Sequence, residues 1–125
     1  MTGVGRTELL SRYGHRTVLN LESLVEYCEV IARITAEAES AQGLADTSVQ
    51  WAAEMGLIRI GETVNRLPAE LLRAYPAQPW RVIVAMRNMA AHQYDDLDPE
   101  RLWRTLTRDV PSLRRYVEDI LAERV

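Results

Sequence analysis

An all-α fold, an antiparallel up-and-down bundle of four to five helices, is predicted by three features of this chain. Apolar residues recur at three- and four-residue steps through every long segment. Prolines and glycines stand at a few boundaries between those segments. No segment reads as a strand, and there is no long linker or internal repeat.

The first sixteen residues, with Gly3, Gly5 and Gly14, read as a flexible arm, and residues 17–125 as one helical domain. A first long helix runs from about Arg16 to Ser40. Leu21, Leu24, Cys28, Ile31 and Thr35 form its single apolar seam, and Glu22, Glu26, Glu29, Glu37 and Glu39 its solvated side. Gln42-Gly43 stops it, and Asp46 or Thr47 caps the next helix.

That second helix, about Thr47 to Arg66, has two apolar faces. Val49, Ala53, Gly56, Ile60, Val64 and Leu67 share one face at 100° per residue. Trp51, Met55 and Ile58, with Glu62, lie on roughly the opposite one. A surface helix of a monomer needs one apolar face. The second is expected to meet another protein, or to be buried on both sides inside a four-helix bundle. Pro68 ends the helix, and Pro76 and Pro79 punctuate a short connector.

A third helix follows from Pro79 to about Ala91, anchored by Trp80, Val82, Ile83, Val84 and Met86. Asp95 to Asp98 reads as a loop. Asp98-Pro99-Glu100 is an N-cap followed by proline in the first turn, opening a fourth helix to about Arg108. Pro111 is expected to break or kink it before a last helix carrying Leu113, Val117, Ile120 and Leu121.

Composition fits a single-core globular domain of 125 residues, 47% apolar and 26% charged. No apolar run approaches the roughly 20 residues of a membrane span, and no signal-peptide pattern precedes the first helix. A lone cysteine, Cys28, excludes an internal disulfide framework and points to a reducing cytoplasm. All fifteen basic residues are arginines, and the net charge is −3. Broad affinity for nucleic acid is therefore not expected. The charge is uneven: residues 1–62 hold five arginines against nine acids, and residues 63–125 hold ten against nine. An RNA-facing surface belongs in the second half.

The densest chemistry is Arg87-Asn88-Met89-Ala90-Ala91-His92-Gln93-Tyr94. On an ideal helix Arg87 and Tyr94 lie about 20° apart, while Arg87 and His92 are about 140° apart. Either the helix unwinds near Ala91 or the residues enter a cleft from its two flanks. Such a set supports metal-independent cleavage of RNA. His92, with a reference pKa of about 6.5, can take the 2′-hydroxyl proton. Arg87 can neutralise charge developing on phosphate. Asn88, one turn before His92, can hold the imidazole tautomer or a phosphate oxygen. Arg101, Arg104 and Arg108 share a helix face that either steers RNA phosphates or is an ordinary solvated surface. Glu62 is either a groove residue or a plain exposed glutamate. Asp95, Asp96 and Asp98 have no histidine or further carboxylate at ligand-like spacing, so neither a metal nor any other cofactor is expected.

The motif resembles the Arg-x4-His-x-Tyr signature of HEPN-domain proteins, and of the HepT family of toxin–antitoxin pairs in particular. Ile58-Arg59-Ile60-Gly61-Glu62, Leu67-Pro68-Ala69-Glu70-Leu71, Tyr75-Pro76, Pro79-Trp80, Leu102-Trp103 and Asp109-Val110-Pro111-Ser112-Leu113 follow in the family's order. The resemblance implies a cytoplasmic homodimeric ribonuclease toxin with paired motifs at its interface. It also implies a partner nucleotidyltransferase antitoxin of the MNT type that attaches AMP to Tyr94 and so blocks the cleft. An alternative of another class is a non-catalytic nucleotide-binding or interaction module that serves mainly as that enzyme's substrate.

Overall fold

The computed structural model describes residues 2–92 and 98–122, with side chains at 6–88, 90 and 98–122. Every regular element among the described residues is helical: α1 (Thr2–Tyr13), α2 (His15–Ala38), a 3-10 turn (Ala41–Ala45), α3 (Thr47–Asn65), α4 (Ala69–Ala74), α5 (Trp80–His92), α6 (Pro99–Arg104), a π turn (Thr105–Asp109) and α7 (Val110–Leu121). The all-α class predicted from periodicity is what forms.

Helix α2 is the central element, packed against both α3 and α7, and α3 carries α5 on its other side. The seam read from the sequence is the seam that is buried. Leu21, Leu24 and Ile31 of α2 meet Leu57, Ile60 and Val64 of α3 and Leu113, Val117 and Ile120 of α7 in one continuous core. Asp46 caps α3 as expected: its Oδ1 accepts from the backbone N–H groups of Ser48 at 3.0 Å and Val49 at 3.2 Å. The Ser48 hydroxyl bond, followed by the Val49 N–H, holds the Asp46 carboxyl below its ordinary pKa.

Three expectations need correction. Residues 2–13 were expected to belong to a flexible arm, yet they form α1. Leu9 is 4% exposed and belongs to the core, and Arg6 pairs with Glu22 of α2. Gly3 and Gly5 lower helix propensity, but propensity is a weak prior against burial of an apolar face. Gly14 then makes the turn between α1 and α2 at φ 93°, a left-handed backbone that favours glycine. The connector after Pro68 holds a short helix, α4, because Leu71 is fully buried.

The third correction concerns Pro111, which does not break the C-terminal helix. Arg104, Asp109 and Val110 all keep right-handed helical backbone. The Val110 N–H donates to the Thr105 carbonyl five residues back. This one wide turn accommodates a ring that has no N–H to donate.

Candidate active site

The site begins with a glycine. Helices α3 and α5 run antiparallel and approach so closely at Gly61 that a Cβ there would lie 2.1 Å from Arg87 Cβ and 2.9 Å from its Cγ. Only glycine allows that approach. The contact lays the stem of Arg87 against the α3 backbone and sends its guanidinium along the helix seam.

At the head of that stem, Arg87 Nη1 donates to Asn88 Oδ1 at 2.6 Å, and Nη2 donates to Glu62 Oε1 at 3.3 Å. The Arg87 and Glu62 side chains are 34% and 46% exposed. An ion pair this open contributes at most about 1 kcal/mol. A phosphate offering two charge-assisted bonds to the guanidinium competes with it readily. The Arg87 Nε is sealed from solvent and has no hydrogen-bond partner among the described residues. One edge of the guanidinium is thus packed in place while its outer nitrogens face a cleft. That cleft, of about 250 Å³, is lined by Gly61, Glu62, Asn65, Arg66, Val84 and Arg87.

The remaining predicted residues divide. The backbone of α5 stays helical through His92, so unwinding near Ala91 does not occur, and Arg87 and His92 leave opposite flanks of one regular helix. The His92 side chain, and all of Tyr94, Asp95 and Asp96, lie outside the described residues. Extending the Gly61–Arg87 register sets the His92 backbone near Met55 and Gly56 of α3. Arg101, Arg104 and Arg108 are all exposed on α6 and the π turn. Helix α6 packs on the 3-10 turn that leads into α3. Those arginines therefore belong to the same end of the bundle as the His92 backbone, away from the cleft beside Arg87.

The second apolar face of α3 is uncovered. Trp51 is 66% exposed and Met55 50%, with Ile58 half-buried and Glu62 exposed along the same stripe. Internal burial on both sides, the other reading of this helix, is not what the chain does. Asn65 and Arg66 line the cleft but were not among the residues picked out from the sequence. Their only signal was position, one helical turn beyond Gly61 and Glu62.

Comparison with known proteins gives this geometry a context. Residues 24–120 match the protein family described as "Ribonuclease HepT-like". A protein of Thermococcus cleftensis named "Probable ribonuclease HepT" is 34% identical over 100 residues, covering 80% of this chain and 91% of that protein. A candidate RNase of Methanocaldococcus jannaschii is 26% identical over 103 residues, covering 82% of this chain and 85% of that protein. A candidate RNase of Caldanaerobacter subterraneus is 28% identical over 101 residues, covering 81% of this chain and 90% of that protein. No solved structure matches the chain. The matched span runs from within α2 almost to the end of α7 and includes both sides of the Gly61–Arg87 contact, so the chain belongs to the HepT-like ribonuclease family.

Proposed function

We propose that this protein is a metal-independent endoribonuclease toxin whose active site is completed by a second copy of the chain. One observation carries the reading. Arg87 is packed in place by its stem, yet its guanidinium is held only by an exposed, exchangeable pair with Glu62 at the mouth of an open cleft. A fixed cation that can pass from carboxylate to phosphate is what stabilises charge at a reacting phosphodiester.

His92 accepts the proton of the ribose 2′-hydroxyl, and the 2′-oxygen forms its bond to phosphorus as the bond to the 5′-oxygen breaks. The leaving oxygen takes a proton from the His92 of the second copy. The products are a 2′,3′-cyclic phosphate and a free 5′-hydroxyl. Arg87 neutralises the phosphate oxygens, and Asn88 orients the imidazole or an oxygen beside it. The uncovered Trp51–Met55 stripe supports pairing of two copies along α3 and α5, with both motifs on one groove. Arg101, Arg104 and Arg108 supply positive charge at the same end.

Control by a nucleotidyltransferase antitoxin of the MNT type follows from the family. The Tyr94 phenolic oxygen attacks the α-phosphate of ATP, loses its proton, and releases pyrophosphate. The AMP it gains adds charge and bulk beside the groove. No helix among the described residues is long and apolar enough to cross a membrane, and the setting proposed is the cytoplasm.

The decisive test is cleavage of total RNA in excess EDTA by unmodified protein, beside Arg87→Ala and His92→Ala. Wild-type cleavage leaving cyclic phosphate ends is expected. Arg87→Ala should lose about 10²–10³-fold in rate and His92→Ala about 10²–10⁴-fold. Equal activity in all three would attribute cleavage to a contaminant and remove both residues from the mechanism. Folded, dimeric, unmodified protein that cuts no RNA, tRNA included, would favour the non-catalytic module.

A further inference from the structure

The seam between α3 and α5 does not end at Arg87. Past it, away from the Trp51–Met55 stripe, two clefts adjoin and share Asn65 and Val84. The first, already described, is polar and holds Arg66 and Arg87 with Glu62. The second, of about 270 Å³, is walled mainly by apolar side chains: Val64, Leu72, Trp80 and Val84, with Arg81 at its edge. Trp80 is fixed there, its indole Nε1 donating to the Tyr75 carbonyl at 2.8 Å. The geometry points to a subsite for the nucleotide next to the scissile phosphate, with its base over the apolar cleft and its phosphate between Arg66 and Arg81.

Charge, size and polarity agree on this ligand. Arg66 and Arg81 are exposed. The printed contact of Arg66 is a bond from Nη2 to the Thr63 hydroxyl at 3.2 Å, and neither arginine has a carboxylate partner among the described residues. Glu62, the one acid in the cleft lining, already faces Arg87. Each cleft falls below the roughly 300–1,000 Å³ of a drug-sized pocket, which suits a single base better than a larger ligand. An apolar wall bordered by arginines is how single strands are held without a groove in a duplex. Asn65, at the junction, has an amide that can both donate to and accept from a base edge. The net charge of −3 makes this local excess of arginine the more selective for RNA threaded along the seam.

The inference rests on RNA being the substrate, and its test does not require cleavage. A single-stranded 2′-O-methyl RNA of about twelve nucleotides, within the span such sites cover, cannot be cut by 2′-hydroxyl attack. Its binding is followed by fluorescence anisotropy across a salt series. Arg66→Ala/Arg81→Ala should weaken binding about tenfold or more. It should also flatten the slope of log affinity against log salt by about 1.4, at about 0.7 per lost single-strand phosphate contact. The control Arg12→Ala/Arg33→Ala removes two exposed arginines from α1 and α2 and should change neither.

A second arm fills the apolar cleft with Val84→Trp. An abasic nucleotide scanned along the probe should lower wild-type affinity at one position, and that dependence should vanish in the variant. Equal weakening by both arginine pairs, no abasic dependence in wild type, or no binding of the probe by wild type each overturns the subsite. Wild type that binds through these residues but cuts no RNA would instead sink the nuclease reading while leaving the subsite standing.

Discussion

Arg87 and Cys28 show how burial decides what a polar side chain can do. Arg87 keeps its stem and Nε out of water while its outer nitrogens reach a cleft, so it is both placed and available. Cys28 is 2% exposed inside the core, and burial pushes its thiol from 9.0 up to about 12, with Arg114 opposing only in part. The folded chain therefore holds this proton more tightly than the unfolded chain. The contribution to stability is constant below pH 9 and falls as pH rises through the window up to about 12. A thiol so placed is a core residue and no nucleophile. Ellman's reagent at pH 8 should leave it unlabelled in native protein and label it fully in denaturant. Rapid labelling of the native chain would show that the α2 seam opens. The sequence reading of Cys28 as a packed hydrophobe needed only its register on α2. The pairing of Arg87 with Glu62, 25 residues away, could not be read from spacing at all.

At the scale of elements, the α3–α5 contact organises the site. Gly61 substitutes a gap for a side chain where the two helices meet, and the position of Arg87 follows from it. Gly61→Ala should force the helices apart or bend the Arg87 stem. Overpacking of this kind costs about 1–3 kcal/mol, a fall of several degrees in Tm. Cleavage should drop further than the fall in stability explains, because the guanidinium moves with the stem. Unchanged melting and unchanged activity would show that the approach is looser than 2.1 Å implies. The C-terminal segment teaches the opposite lesson about local rules. Pro111 was expected to interrupt a helix, but one π turn at Thr105–Asp109 absorbs it. Packing of Leu106, Val110 and Leu113 into the core holds the axis on course.

For the whole molecule, the question is what covers the outer face of α3. Trp51 and Met55 stand in solvent in the single chain, on the stripe that leads to Glu62 and the cleft. If two copies pair there, Trp51→Glu buries a charge at the interface without touching the core. Sedimentation should then shift from dimer to monomer while far-UV circular dichroism stays unchanged, and cleavage should vanish with the composite groove. A Trp51→Glu protein that still sediments as a dimer would remove this stripe from the interface.

Helical class, the α2 seam, the Asp46 cap and the two-faced character of α3 were legible in the sequence, because each depends on neighbours three or four residues apart. The tertiary structure alone decided that residues 2–13 fold back as a helix and that Pro111 is tolerated. It also joined Gly61 to Arg87 and brought Asn65, Arg66 and Arg81 onto one seam. These outcomes depend on burial and on contacts between distant segments, where the packing of one helix on another outweighs the preferences of either.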